Sequence, residues 1–423
     1  MIKRLLAIFC LLFVSTAHAA EMVNVEYIHS AIKHHWGIAV PYNPALTNPR
    51  VAANMKYLLT AIDRANELQN NKTSYGTNAT FATLAAADTV ATNDAIKRFI
   101  TQPFFITTTP TTTSFTFELS AQGSFTVTWG DGSSESIVKN DTEMKSYSHT
   151  YSRAGEYKIG FSGTATAYST ADPRTDPTAA IRFWKNNDIA AISGSLGAIF
   201  STIGNGATAA QQPIFHNTFR ECKNLTSTIP EQLFVGIHGA PAERMFAGTF
   251  QSTPFTGSIP ADLFAEIKGA PAWAMFNNTF HMSVLTGTIP GNLFRGISGA
   301  PAEYMYSGTF MHCKNLTGEI PAGLFGDIHG APVEYMYYGV LGNNPGLTGQ
   351  IPENLFGDIS GPAAPWMFYQ SFLNDSGLTG PSARINGQYL YEIWPSPPEN
   401  GSTSCYGNAT GLSDYSTIPA QWK

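Results

Sequence analysis

The sequence predicts a multidomain α+β protein: a helical N-terminal region, a β-sandwich, and then a solenoid of 30–31-residue units. Isoleucine–proline pairs ending at Pro230, Pro260, Pro290, Pro321 and Pro352 recur at spacings of 30, 30, 31 and 31. A unit that short cannot bury its own apolar face, so neighbouring units must stack to bury it together. Ahead of the repeats, apolar residues fall at helical spacing up to residue 101 and then alternate with polar ones from 102 to 168.

Residues 1–19 read as a secretory signal peptide. Lys3 and Arg4 precede an apolar run over 5–14, and Ala17 and Ala19 flank His18 just before the expected cleavage point. Residues 20–101 form the predicted helical region. Val25, Ile28, Ile32 and Trp36 share one face, and Val51, Met55, Leu58, Leu59, Ile62 and Leu68 make a second stripe. Asn48 before Pro49 marks a helix start between them. In the predicted sandwich, residues 102–168, Phe115, Phe117 and Leu119 lie on one strand face, Phe125, Val127 and Trp129 on the next, and Tyr157, Ile159 and Phe161 on a third. Residues 169–191 are rich in proline and aspartate and read as a linker.

The solenoid is expected over 192–423 with terminal caps: an irregular first unit, in which Phe200 aligns with Phe234, and a last half-repeat, GLSDYSTIPAQW. Within one unit, residues 316–321 suit a short strand with Leu316 and Ile320 pointing inward. Pro321 then opens a short helix carrying Leu324, Phe325 and Ile328, and a second helical turn after Pro332 returns Met336 and Tyr337 to the core.

Two family resemblances rest on these residues. Trp129, Gly130, Asp131 and Gly132, then His149, Thr150 and Tyr151, then Gly155 and Tyr157 resemble the W-G-D-G…H-x-Y…G-x-Y pattern of PKD-like β-sandwich modules. That resemblance implies a spacer or carbohydrate-associated domain of an exported protein. The repeat, as in TFMHCKNLTGEIPAGLFGDIHGAPVEYMY, resembles bacterial BspA-like leucine-rich repeats, although its length and its inserted G-A-P-A depart from the shorter bacterial units. It implies a surface protein with a leucine-rich-repeat-like solenoid.

Composition fixes the setting. Without Lys3 and Arg4 the chain keeps 22 basic against 30 acidic residues, a net charge of −8, and it has no basic run, which argues against nucleic acid as a partner. No stretch after the signal has the roughly 20 apolar residues of a membrane span. Charged residues are only 13% of the chain, which suits an extracellular β-rich protein. Cys222 and Cys313 hold the same repeat position three units apart, about 15 Å at strand-like spacing and too far for a disulfide, so they read as buried ladder residues. A bond from one of them to Cys405 is the other reading.

No nucleophile elbow, zinc-protease helix, P-loop or dinucleotide fingerprint is present, and no catalytic residue, metal ligand or cofactor follows from the sequence. Glu243, Glu303 and Glu334 fall in one repeat column, and Asp327 and Asp358 in another, on a face expected to be exposed. The binding candidates are aromatic: Tyr304, Tyr335 and Trp366 each precede the repeat methionine, with Trp273 one residue offset. In a column such rings suit a flat platform for sugar rings or a partner surface, or else they only cover the second turn of each unit. The resulting expectation is a recognition protein, secreted or at the cell surface of a Gram-negative bacterium, that binds a host or extracellular protein or a glycan. The alternatives are a structural component that self-associates through its helical N-terminus or solenoid ends, and a polysaccharide-active hydrolase of the kind that PKD-like modules accompany.

Overall fold

A computed structural model describes residues 104–172, 174–175 and 178–423, all within the compact unit Pro103–Lys423. The signal peptide expected over 1–19 and the helical region expected over 20–101 fall outside the described residues. The predicted α+β class does not hold. The described residues are strands and turns, with a single four-residue α-helix, α1 (Leu390–Ile393), and two 3₁₀ turns, Ala209–Gln211 and Ala420–Trp422. A leucine-rich-repeat-like solenoid with helical turns in each unit is therefore not what these residues build. Among them no helix is long and apolar enough to cross a membrane.

Eight strands open the unit: β1 (Phe104–Thr108), β2 (Thr112–Leu119), β3 (Gln122–Thr128), β4 (Ser134–Lys139), β5 (Lys145–Gly155), β6 (Lys158–Ala167), β7 (Ile181–Arg182) and β8 (Ile189–Ser193). They make a five-stranded sheet, β4-β3-β6-β1-β8, and a three-stranded one, β5-β2-β7. The alternating pattern of β2 sends Phe115, Phe117 and Leu119 inward, where Phe117 meets Phe161 edge-on at 5.1 Å. Trp129 is buried, and its carbonyl accepts a 2.9 Å bond from the Tyr151 hydroxyl. Asp131 makes a turn instead of facing a cavity. Its carboxylate takes Ser133 N–H at 2.9 Å and lies 2.8 Å from His149 Nε2, and the Ser133 bonds, followed by His149, hold its pKa far below the ordinary carboxylate range.

Residues 169–191, expected as a linker, carry β7 and the start of β8, and both sheets run on into the repeats. Beyond β7, Phe183 N–H donates to Thr218 O at 2.7 Å and Lys185 N–H to Arg220 O at 2.9 Å; beside β8, Thr226 N–H donates to Ala190 O at 3.1 Å. Phe183 stacks on Phe219 at 5.6 Å, so the two parts share one apolar core. The sandwich thus covers the edge of the first repeat, which would otherwise offer unpaired backbone groups. At the other end, Tyr406 N–H donates to Trp422 O at 2.8 Å, and the buried Trp422 ring lies 6.2 Å from Tyr406 and 6.3 Å from Phe368.

Between these ends the units lie one on another in parallel register. One side of each coil is the L-T-G segment, forming β10 (Gly318–Glu319), β12 (Leu347–Gln350) and β14 (Leu378–Thr379); a second side forms β9 (Ser298–Gly299), β11 (Asp327–Gly330) and β13 (Asp358–Ile359). Leu316 and Ile320 are buried, as the short strand requires. After Pro321 there is one turn and no helix: Leu324 N–H bonds to Pro321 O at 3.3 Å and Gly326 N–H to Gly323 O at 3.0 Å before β11 begins. Gly326, at φ +76°, has no room for a Cβ, which would come within 2.1 Å of Ile297 O in the coil below.

The third side, from Ala302 to Cys313 in one unit, replaces the expected second helical turn. Its N–H groups alternate between two uses. Tyr304, Tyr306, Gly308, Phe310 and His312 donate across to Glu334, Met336, Tyr338, Val340 and Gly342 at 2.6–3.2 Å, while Met305, Ser307, Thr309, Met311 and Cys313 donate back three residues at 3.1–3.3 Å. Every fourth residue is left-handed: Tyr304 (φ 58°), Gly308 (62°) and His312 (61°). A helix would spend all these donors within one coil and leave the neighbouring coil unpaired.

The rung spacing brings equivalent side chains into stacks. Phe246, Phe276, Tyr306, Tyr337 and Phe368 stack at 5.6–6.0 Å with planes within 8° of each other. Phe234, Phe264, Phe294, Phe325 and Phe356 make a second inner stack at 6.0–6.5 Å, tilted against the first. The three cysteines among the described residues, Cys222, Cys313 and Cys405, are free and buried; Cys313 Sγ lies 2.9 Å from Phe280 O and Cys222 Sγ 3.1 Å from Phe183 O. Burial pushes each thiol up, Cys313 to about 11 and Cys222 to about 12, so neither is a ready nucleophile.

Candidate recognition face

Tyr304, Tyr335 and Trp366 occupy one column on the turn side, each half-buried and each at the left-handed position that opens it (φ 58°, 56° and 56°). Arg244 and Ala274 hold the same position at 52° and 51°, so the backbone geometry belongs to the coil and is no mark of function. The rings of Tyr304 and Tyr335 stack at 4.4 Å and 10°, those of Tyr335 and Trp366 at 5.6 Å and 4°. This corrects the flat platform expected from the sequence. Coils at strand-like spacing press equivalent rings face to face, so the column presents ring edges, and the tyrosine hydroxyls on them, to solvent.

The structure adds two rings that the column did not reveal. Tyr338 and Tyr369, three residues after Tyr335 and Trp366, form a parallel second stack at 4.9 Å, with Tyr338 5.7 Å from Tyr335 and Tyr369 5.0 Å from Trp366. The five rings make one continuous strip. Burial and the neighbouring Tyr335 and Glu334 push the Tyr304 hydroxyl up to about 12, and burial likewise raises Tyr338. These hydroxyls therefore remain neutral donors and acceptors at ordinary pH. Tyr338 and Tyr369 had a sequence signal in the paired aromatics Y-M-Y-Y and W-M-F-Y, whose last residue turns outward.

Trp273 stands apart. It meets Tyr304 edge-on at 6.0 Å and 68°, and its ring is already engaged by the Arg174 guanidinium at 4.9 Å and that of Arg244 at 4.8 Å. Arg174 also reaches Glu243 at 3.4 Å. Trp273 is thus a cation-covered end of the strip instead of a free binding ring.

A column of carboxylates borders the rings. The residue before each left-handed position is Glu243, Trp273, Glu303, Glu334 and Pro365 in successive coils, and Glu399 continues the series because its carbonyl accepts Trp366 N–H as Glu334 O accepts Tyr304 N–H. Glu303 and Glu399 are exposed and Glu334 half-buried. Among the described residues no group of three or more His, Cys, Asp or Glu side chains is placed to hold a metal ion. No family model, no curated protein and no solved structure matches the chain.

Proposed function

We propose that the chain is an exported recognition protein that binds an extracellular or host protein through the strip of Tyr304, Tyr335, Trp366, Tyr338 and Tyr369. One observation carries the reading: five rings in two adjoining stacks lie half-exposed on one side of a coil stack that buries two full aromatic ladders beneath them. A rigid scaffold that holds aromatic groups in place lets them contribute contact area with little further loss of entropy on binding. Ring edges with hydroxyls fit a protein surface better than a sugar, whose C–H face needs an uncovered ring face. Self-association through the ends of the repeat stack is disfavoured, because the sandwich covers one end and Trp422 the other. Export rests on the reading of residues 1–19.

The test is a screen of the secreted protein against extracellular-protein and glycan arrays beside the variant Tyr304→Ala/Tyr335→Ala/Trp366→Ala. Alanine already occupies this position at Ala274, so the variant should keep its fold by circular dichroism. Truncating interface aromatics of this kind costs about 1–2 kcal/mol each or more, so a protein hit should weaken by at least about 100-fold. Binding that survives the triple change would make the rings structural.

A further inference from the structure

We propose that the L-T-G side of the first coils is an ice-binding face, a second surface separate from the aromatic strip. Each coil exposes two side chains there, one on either side of the central residue. Thr226, Thr256, Thr286 and Thr317 hold the first position and Thr228, Ser258 and Thr288 the second, and all seven are exposed. The first position is threonine in every coil through Thr379, so it belongs to the repeat; the second is free to change, because Glu319 and Gln350 fill it further along. Three successive hydroxyls at that free position, with no charge, amide or ring among the seven, set this patch apart. Exposed positions on the side of β9, β11 and β13 are charged instead, as at Lys268, Asp327 and Asp358.

The register joins the two columns into one array. Thr228 pairs with Thr256 across neighbouring coils, and Gly287 pairs with Leu316, which sets Thr288 opposite Thr317. Thr286 N–H donates to Gly257 O as Thr256 N–H does to Ser227 O, which sets Ser258 opposite Thr286. Facing residues therefore lie about 5 Å apart, the strand spacing of a sheet and close to the repeat along the oxygen rows of hexagonal ice. The side chains are also held in place. Thr256 Oγ1 donates to Thr226 O at 2.8 Å and Thr286 Oγ1 to Gly257 O at 3.2 Å, which leaves their methyl groups to solvent. The methyl groups of Thr228 and Thr288 lie over Gly257 and Gly318, where a Cβ would come within 3.0 and 2.8 Å of them, so their hydroxyls are left to bond water. Fixed hydroxyls set among fixed methyl groups order the first water layer before any ice arrives. A soluble ligand calls for a concave site with a few convergent polar groups; a crystal with a short repeat calls for equal groups at equal spacing.

The test uses the whole secreted protein. Cryomicroscopy of single ice crystals in its solution reads the gap between melting and growth temperatures, and fluorescently labelled protein is assayed for uptake into growing ice. Three variants accompany it: Thr228→Glu/Thr288→Glu, which copies Glu319 into the array and should keep the fold; Ser134→Glu/Ser136→Glu, which makes the same charge change on β4; and Glu319→Thr/Gln350→Thr, which extends the array. Wild type should open a gap and enter the ice, the first variant should lose both, the second should match wild type, and the third should widen the gap. The triple ring variant should act on ice as wild type does, so this face and the recognition strip fail separately. No gap and no uptake for wild type would overturn the proposal, as would equal losses in the first two variants. Adsorption to microcrystalline cellulose or chitin that needs Thr228 and Thr288, without any effect on ice, would assign the face to a crystalline glycan and overturn it too.

Discussion

Replacing Tyr306 with alanine is expected to lower the stability of the repeat region by about 3–5 kcal/mol, while Tyr306→Phe should cost only about 1 kcal/mol. Tyr306 is completely buried at the centre of the first inner ladder, 5.6 Å from Phe276, 6.0 Å from Tyr337 and 5.0 Å from Phe325. Alanine there opens a cavity on both sides, because the backbone of each coil is pinned to its neighbours and cannot collapse into it. Phenylalanine fills the same position in four other coils, at Phe215, Phe246, Phe276 and Phe368, so Tyr306→Phe forfeits only the 3.2 Å bond from the hydroxyl to Phe325 O. Urea unfolding followed by circular dichroism would measure both, with Tyr304→Ala as the comparison two residues away on the outer surface. A Tyr306→Ala loss no larger than that of Tyr304→Ala would mean that the ladder is not the core.

The second large effect is a pH dependence centred on Asp375. This carboxyl is completely buried in a column otherwise made of donors: Cys222 reaches Phe183 O, Thr253 reaches Phe219 O, Cys313 reaches Phe280 O at 2.9 Å and Asn344 Nδ2 reaches Phe310 O at 2.8 Å. Continuing that register puts Leu341 O where Asp375 would donate. Asp375 Oδ1 accepts Asn344 N–H at 2.7 Å, but Oδ2 and the neighbouring Asn344 Oδ1 have no donor among the described residues. A proton on Oδ2 would give Asp375 the donor role that the other members of the column play. Burial raises the pKa of Asp375 well above the ordinary value, opposed only in part by the Asn344 N–H. Because the folded pKa exceeds the unfolded one, the contribution is fully present below about pH 4 and is lost as pH rises toward the folded pKa. Over that window wild type should lose about 1.4 kcal/mol per pH unit relative to Asp375→Asn, which keeps a donor and mimics Asn344. Unfolding midpoints of the two proteins from pH 4 to pH 9 give the comparison. Parallel curves would show that Asp375 is ionised in the native state.

Much of the stack was legible in the repeat. The period located the columns and the strand segment with Leu316 and Ile320 inward. The non-helical turn side was not, because a left-handed residue every fourth position also spaces apolar side chains by four: Ala302, Tyr306 and Phe310 imitate a helical stripe. The discriminating signal was the glycine and asparagine series Gly248, Asn278, Gly308 and Gly339, placed where an L side chain is disfavoured. Likewise the register identified the column of Tyr304, Tyr335 and Trp366 but not the plane of its rings, which the coil spacing sets. Nothing local to Trp273 signals that Arg174, far away in the chain, covers it.

Hydrogen exchange of the complex with a partner recovered from the screen, read by mass spectrometry against the free protein, tests the recognition face most directly. Slowed exchange confined to 303–307, 334–338 and 365–370 is the expected outcome, because these segments carry the two ring stacks and most of the acid column. Protection confined to the sandwich, or to the L-T-G side of the coils, would place the binding surface elsewhere and contradict it.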